Sequence, residues 1–213
     1  NKKKINVVYL GIDNQYLKKK NLYFLKQFNY KQKYFLSVLS CARYHNIIKI
    51  LSAFKLLKKK KSLKLKVVFV MSILDKSYFL EIKKFINQNF DKKDIIILQN
   101  VNQLYLVNLY KNSKFYIFSS YSEVFGLTSL EAMTQSCPVL LSKKSALPEI
   151  NKNAAIYFNP DNEINIMNCM KQILNNKKLK NRLIKKGNFL ISKYNWKNNV
   201  SKTINIILQK TRN

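Results

Sequence analysis

Two glutamates, Glu123 and Glu131, stand with seven residues between them inside the stretch SSYSEVFGLTSLEAMTQSCPVLLS, which contains no Lys and no Arg. The chain carries 40 basic and ten acidic residues in 213. A window of this length should therefore hold about four or five cations. Carboxylates at this spacing can accept hydrogen bonds from hydroxyl pairs. Between them, Phe125, Gly126, Leu127 and Thr128 offer main-chain amides. Gly126 lets the backbone approach a ligand closely. With a helix starting near Thr128, the amides there form an anion site. Glu123 then lies in the preceding loop, Glu131 in the first turn, and both face one crevice. Such an element suits a nucleotide sugar, with phosphate in the middle and polyols on both sides. The same letters also fit a capping box, Thr128-x-x-Glu131, in which Glu131 would only cap the helix.

The flanking sequence sets the elements that position these residues. Short apolar runs read as strands at Ile5–Leu10, Tyr34–Ser40, LKVVFVMSI, DIIIL, KFYIFS, CPVLLS and AAIYFN. Helical spacing fills the gaps, as where Ile47, Ile48, Leu51, Phe54 and Leu57 recur along one face. From Asp161 the pattern is helical to the end, with breaks expected at Gly187 and at Asn195-Trp196. Near-continuous apolar strands alternating with amphipathic helices imply an α/β fold, a Rossmann-like doubly wound parallel sheet covered on both faces. In that architecture ligands bind beyond the carboxyl ends of the strands. The loop after FYIFSS is such a place.

The string SSYSEVFGLTSLEAMTQSCPVLLSKKSALPEI resembles the donor-site signature of retaining glycosyltransferases with the two-Rossmann-domain GT-B fold, in particular glycosyltransferase family 4 within glycosyl transferases group 1. That signature reads P-S-x-x-E-G-F-G-L-x-x-L-E-A-M-A-x-G-x-P-V-x-x-S-x-x-x-x-L-P-E. VVYLGID is similar to the entry into the family's C-terminal domain. SVLSCARYHNIIKILSAFKLL is similar to its first strand and helix, NAAIYFNPDN to a later strand and loop, and YNWKNNVSKTINII to its closing Trp-bearing helix.

The resemblance implies a role for each matching position. Glu131 would hold the nucleotide ribose hydroxyls. Glu123 would contact the donor sugar, and Glu123 and Arg43 are the catalytic candidates. The main chain of Phe125, Gly126, Leu127 and Thr128 would lie against the sugar and diphosphate. Arg43, His45 and Lys49 are the candidates for diphosphate contacts. Glu149 would be structural. The sequence departs from the pattern in four places: Val124 replaces the first Gly of E-G-F-G, Ser136 replaces the Gly before Pro-Val, His45 replaces the usual Lys, and VVFVMSILD lacks the Gly that usually follows that strand. They leave open a degenerate, non-catalytic domain of the same fold. The resemblance divides the chain into an entry strand and linker (1–14), a nucleotide-sugar-binding domain (15–195) and a C-terminal crossing helix (196–213). The N-terminal acceptor domain that precedes these parts in the family has no counterpart here. The implied reaction transfers a sugar from a nucleotide-diphosphate donor to a glycan or lipid-linked acceptor with retention. No Asp-x-Asp occurs, so a metal and other cofactors are not expected. Amides and a guanidinium would carry the charge of the leaving diphosphate.

Composition excludes several other classes. The three cysteines, Cys41, Cys137 and Cys169, are odd in number and unclustered, which points to a reducing compartment without a disulfide framework. One histidine leaves no His-rich metal site and no Ser-His-Asp chemistry. No apolar run approaches the ~20 residues that span a bilayer, and the start lacks a signal-peptide apolar region. The expected location is cytoplasmic, with peripheral contact at the inner face of a membrane. The net charge of +30 would suit nucleic acid or an anionic membrane. The lysines are spread rather than gathered on one face, which argues against a nucleic-acid-binding domain.

Overall fold

A computed structural model of the chain describes residues 5–13, 16, 28–59 and 63–211. Six strands form one sheet: β1 (Tyr34–Cys41), β2 (Lys66–Ile73), β3 (Ile95–Leu98), β4 (Tyr116–Phe118), β5 (Val139–Ser142) and β6 (Ala155–Phe158). Their order is β3-β2-β1-β4-β5-β6 and each pairing is parallel. Chain order reverses between β1 and β4, the switch point of a doubly wound sheet. Helices α1 (Ile47–Lys58), α2 (Lys76–Asn89), α3 (Gln103–Asn112), α4 (Leu127–Thr134) and α5 (Leu147–Asn151) connect the strands, and a 3-10 turn, Arg43–His45, precedes α1. Helices α6 (Glu163–Asn175), α7 (Lys177–Ile191) and α8 (Trp196–Thr211) follow β6.

The apolar runs form strands because both faces are covered. Phe35, Leu36, Val67, Val68 and Phe69 are fully buried, and Phe35 stacks on Phe115 with centroids 4.9 Å apart. Side-chain oxygens start the helices. Asp75, Asn102, Asn162 and Asn176 each accept a hydrogen bond from an amide in the following turn. α1 packs on α6, and α4 on α7.

Two sequence expectations change. Residues 5–10 form no strand; Ile5 and Val7 are exposed. The entry segment is instead tied to the last helix and to the turn before it. Ile12 N–H donates to the Tyr194 carbonyl (3.0 Å) and the Asn199 amide to the Tyr9 carbonyl (2.9 Å). A Cβ on Gly11 would fall 2.4 Å from Trp196 N, so only glycine permits this approach. Gly187 lies inside α7 rather than ending it, because it is the contact point on α4, where an added Cβ would meet Met133 Cγ at 3.1 Å. The break at Asn195-Trp196 is present. Trp196 is 47% exposed, and Val200, Ile204, Ile207 and Leu208 continue an exposed apolar stripe along α8. All three cysteines are free and buried. The lysine run at 18–20 lies outside the described residues.

Candidate functional site

β1 pairs with β2 along its whole length but meets β4 only at Leu36↔Tyr116. Beyond that bridge the two halves of the sheet part toward their carboxyl ends. Tyr116 is fully buried, and its hydroxyl reaches the Val38 carbonyl (3.2 Å) and Thr128 Oγ1 (2.7 Å), tying β1, β4 and α4 together at the base of the gap. Above it opens a cavity of about 450 Å3. Its walls include Ser40 and Ser72 at the strand ends, Asn100 and Val101 after β3, and Glu123, Gly126, Leu127 and Thr128 at the start of α4. His45 and a set of apolar side chains, Val38, Val70 and Phe118 among them, also line it.

The loop after β4 is held in place from several sides. Ser145 Oγ donates to the Glu123 carbonyl (2.7 Å) and accepts from the Glu123 amide (3.1 Å). Gly126 caps α4 in the left-handed region, φ 77° and ψ 48°, which turns the chain sharply into the helix. No side chain caps α4. Ser129 Oγ instead donates to the Gly126 carbonyl (2.7 Å). The Thr128–Glu131 capping box therefore does not form. The amino end of α4, with its positive dipole, borders the cavity.

Glu123 and His45 meet on one wall. His45 is 5% exposed, and its Nδ1 lies 2.7 Å from the Ser40 carbonyl, which can only accept, so Nδ1 carries a hydrogen. Nε2 faces Glu123 Oε1 at 3.3 Å. The remaining site candidates are elsewhere. Glu131 is one turn into α4 but not in the cavity wall. Its carboxylate accepts from the Tyr110 hydroxyl (3.1 Å) and is hydrogen-bonded to Tyr16. Burial pushes this carboxyl above the ordinary range, and the two phenols pull it partly back. The shared crevice expected for the two glutamates is thus two adjoining places, an open wall for Glu123 and a tyrosine-lined recess for Glu131.

Arg43 does not reach the cavity. It forms a two-point pair with Glu81 on α2 (3.0 Å from Nη1), lies 3.5 Å from Asp75 and stacks over Tyr78. Lys49 points to α6, where Nζ donates to Glu163 at 2.8 Å. The Phe125 ring is buried under the loop against Tyr194 and Tyr9. Glu149 accepts from the Tyr9 hydroxyl (2.7 Å), a tie between α5 and the entry segment. Val124, at the position where the signature has glycine, is 94% exposed and packs on nothing in the cavity. Ser40, Ser72, Asn100, Tyr110 and Tyr116 were not marked by the sequence, whose motif spans only the β4–α4 unit. Among the described residues no group of three or more His, Cys, Asp and Glu side chains gathers as metal ligands would.

The family model described as glycosyl transferases group 1 matches residues 18–188. The chain belongs to this family. Among curated relatives, the O-antigen chain mannosyltransferase RfbU of Salmonella typhimurium is 26% identical over 171 residues, covering 80% of this chain and 44% of that one. The serotype-specific mannosyltransferase WbdA of Escherichia coli is 38% identical over 66 residues, 31% of this chain and 8% of that protein. The chain spans less than half the length of these relatives. Among solved structures, a glycosyltransferase from Rickettsia africae overlays the whole chain with TM-score 0.84 at 17% identity, using 59% of its own length. Sucrose-phosphate synthase from Thermosynechococcus elongatus overlays 95% of the chain with TM-score 0.78 at 17% identity, using 52% of its own. The fold is the Rossmann-like domain of those enzymes.

Proposed function

We propose that this glycosyl transferases group 1 chain is the donor-binding half of a retaining, metal-independent GT-B glycosyltransferase of family 4, passing a hexosyl group to a glycan or lipid-linked acceptor. The observation that carries this reading is the cavity at the β1/β4 switch point, which joins the amino end of α4 to Glu123 and leaves Glu131 one turn behind. The diphosphate is assigned to the α4 amides and His45. The donor sugar is assigned to Glu123, and the ribose to Glu131. Hydrogen-bond donors fixed before the reaction stabilise charge growing on the departing diphosphate without reorganising, an effect of about 3–4 kcal/mol per donor in comparable sites.

The named relatives are mannosyltransferases, so a nucleotide-diphosphate mannose is the first donor to test. The exposed apolar stripe on α8 supports a second, acceptor-binding domain as the surface that covers it. The reading predicts that calorimetric titration with a panel of uridine- and guanosine-diphosphate sugars finds at least one ligand. Glu131→Ala should weaken that ligand by about tenfold or more, as expected when a hydrogen bond to a charged group is lost. No binding across the panel, or an unchanged affinity in Glu131→Ala, refutes it. The degenerate reading rested partly on Val124, whose side chain points to solvent and leaves the cavity open.

A further inference from the structure

Away from the donor cavity, one kind of chemistry is concentrated on α7. Lys177, Lys178, Lys180, Arg182, Lys185 and Lys186 all lie on it, and it carries no acid. Its inner face is committed, with Leu179, Leu183, Gly187 and Leu190 buried. The outer stripe runs through Lys178, Arg182, Lys185 and Phe189 to Lys193 just past the helix end, in steps of three or four residues. Each is exposed. Phe189 is 68% exposed, and Lys193 Nζ lies over its ring at 4.8 Å. Lys152, from the turn before β6, shares a groove with Lys185, Lys186 and Phe189. None of these cations pairs with an acid among the described residues.

A solvated lysine face needs no aromatic ring. Here a Phe is held outward in the middle of the cations, where water alone would disfavour it. We propose that the outer stripe of α7 docks the protein on an anionic bilayer surface. The ammonium and guanidinium groups meet lipid phosphates, their stems lie along the interface, and Phe189 enters the headgroup–acyl boundary. This mode requires no spanning helix, and no helix among the described residues is long and apolar enough to cross a membrane. A single-stranded nucleic acid is the poorer partner. Such channels stack successive bases on a series of aromatics, and this stripe offers one.

The test is co-sedimentation of the chain with vesicles of phosphatidylcholine alone or with about one third phosphatidylglycerol. The triple variant Lys178→Gln/Arg182→Gln/Lys185→Gln should bind the anionic vesicles about 100-fold more weakly, from roughly a fivefold loss per cation. Phe189→Ser should lose about tenfold, and that loss should persist in high salt. The control Lys84→Gln/Lys92→Gln/Lys111→Gln removes the same charge from other exposed sites and should lose about threefold or less. All substituted positions are exposed, and thermal melts confirm that each variant is folded. Equal losses in the control, an unchanged Phe189→Ser, or no preference for anionic vesicles overturns the proposal. So does an equal loss of single-stranded oligonucleotide binding in the α7 triple variant. Donor titration on the same preparations keeps this test separate from the proposed activity, which stands if vesicle binding alone fails.

Discussion

Gly126→Ala tests the turn on which the site depends. Gly126 sits at φ 77°, ψ 48°, where a residue with a Cβ loses about 1–2 kcal/mol. The new Cβ would also lie 2.6 Å from Leu147 Cδ2, well inside contact distance. Leu147 is fully buried and cannot swing into solvent. Relieving that overlap should cost a further ~1–3 kcal/mol. The total, about 2–5 kcal/mol, corresponds to a fall in Tm of roughly 5–15 °C for a chain of this size. Thermal and urea unfolding measure it directly. The two parts separate in a double-mutant cycle with Leu147→Ala. In that background the overlap is gone, so Gly126→Ala should cost only its backbone share, leaving a coupling of about 1–3 kcal/mol. If Gly126→Ala costs the same in both backgrounds, or less than about 0.5 kcal/mol in the parent, the geometry of this turn is misread. Donor affinity should fall along with stability, because the same turn carries Glu123 and Thr128.

Glu131 gives a pH prediction. Burial raises its carboxyl, so it binds a proton more tightly folded than unfolded. Its contribution to stability is present below the unfolded value and is lost as pH rises through the raised one. Donor affinity should run the other way, since hydroxyls are held by the ionised form. Titrations across pH should show affinity falling on acidification from a point above the ordinary glutamate value of about 4.3, and Glu131→Gln should flatten the profile. His45 and Arg43 should separate. His45→Ala removes the neighbour of Glu123 on the cavity wall and should weaken donor binding about tenfold. Arg43→Ala removes contacts that lie outside the cavity, to Glu81, Asp75 and Tyr78, and should change it about twofold or less; a large loss would bring Arg43 back to the site.

The fold was legible because parallel strands buried on both faces are written as apolar runs, and β2 is one nearly unbroken run. Ile5–Leu10 shows the limit of that rule. It has the letters of a strand, yet a strand also needs a neighbour, and here the Tyr9 carbonyl turns to Asn199 on α8 instead. Gly187 shows the converse. A glycine reads as a break until the helix it touches is known. In the site, the local unit around Glu123 and Gly126 was visible because its parts lie within a few residues of each other. The recess of Glu131 was not, since Tyr110 is on α3 and Tyr16 far upstream, in a chain where 13 tyrosines give no reason to choose either. Arg43 looked available in sequence because its partner, Glu81, is supplied by α2, nearly forty residues on.

The same view of the whole molecule explains the lysine gap. Among the described residues no Lys or Arg lines the cavity, although the chain has 40 of them. A bound diphosphate would therefore be met by amides at the end of α4 and by one imidazole, while the surrounding surface charge is screened within about 8 Å at physiological salt. Binding through fixed short-range donors responds little to salt, whereas binding through mobile surface cations responds steeply. Donor affinity of this chain should accordingly change by no more than about threefold between 50 and 500 mM salt. A steeper fall would move the diphosphate out of the cavity and onto surface lysines. A shallow one, combined with weak binding, would mean that the cation expected opposite a leaving diphosphate has to come from a facing domain rather than from this one.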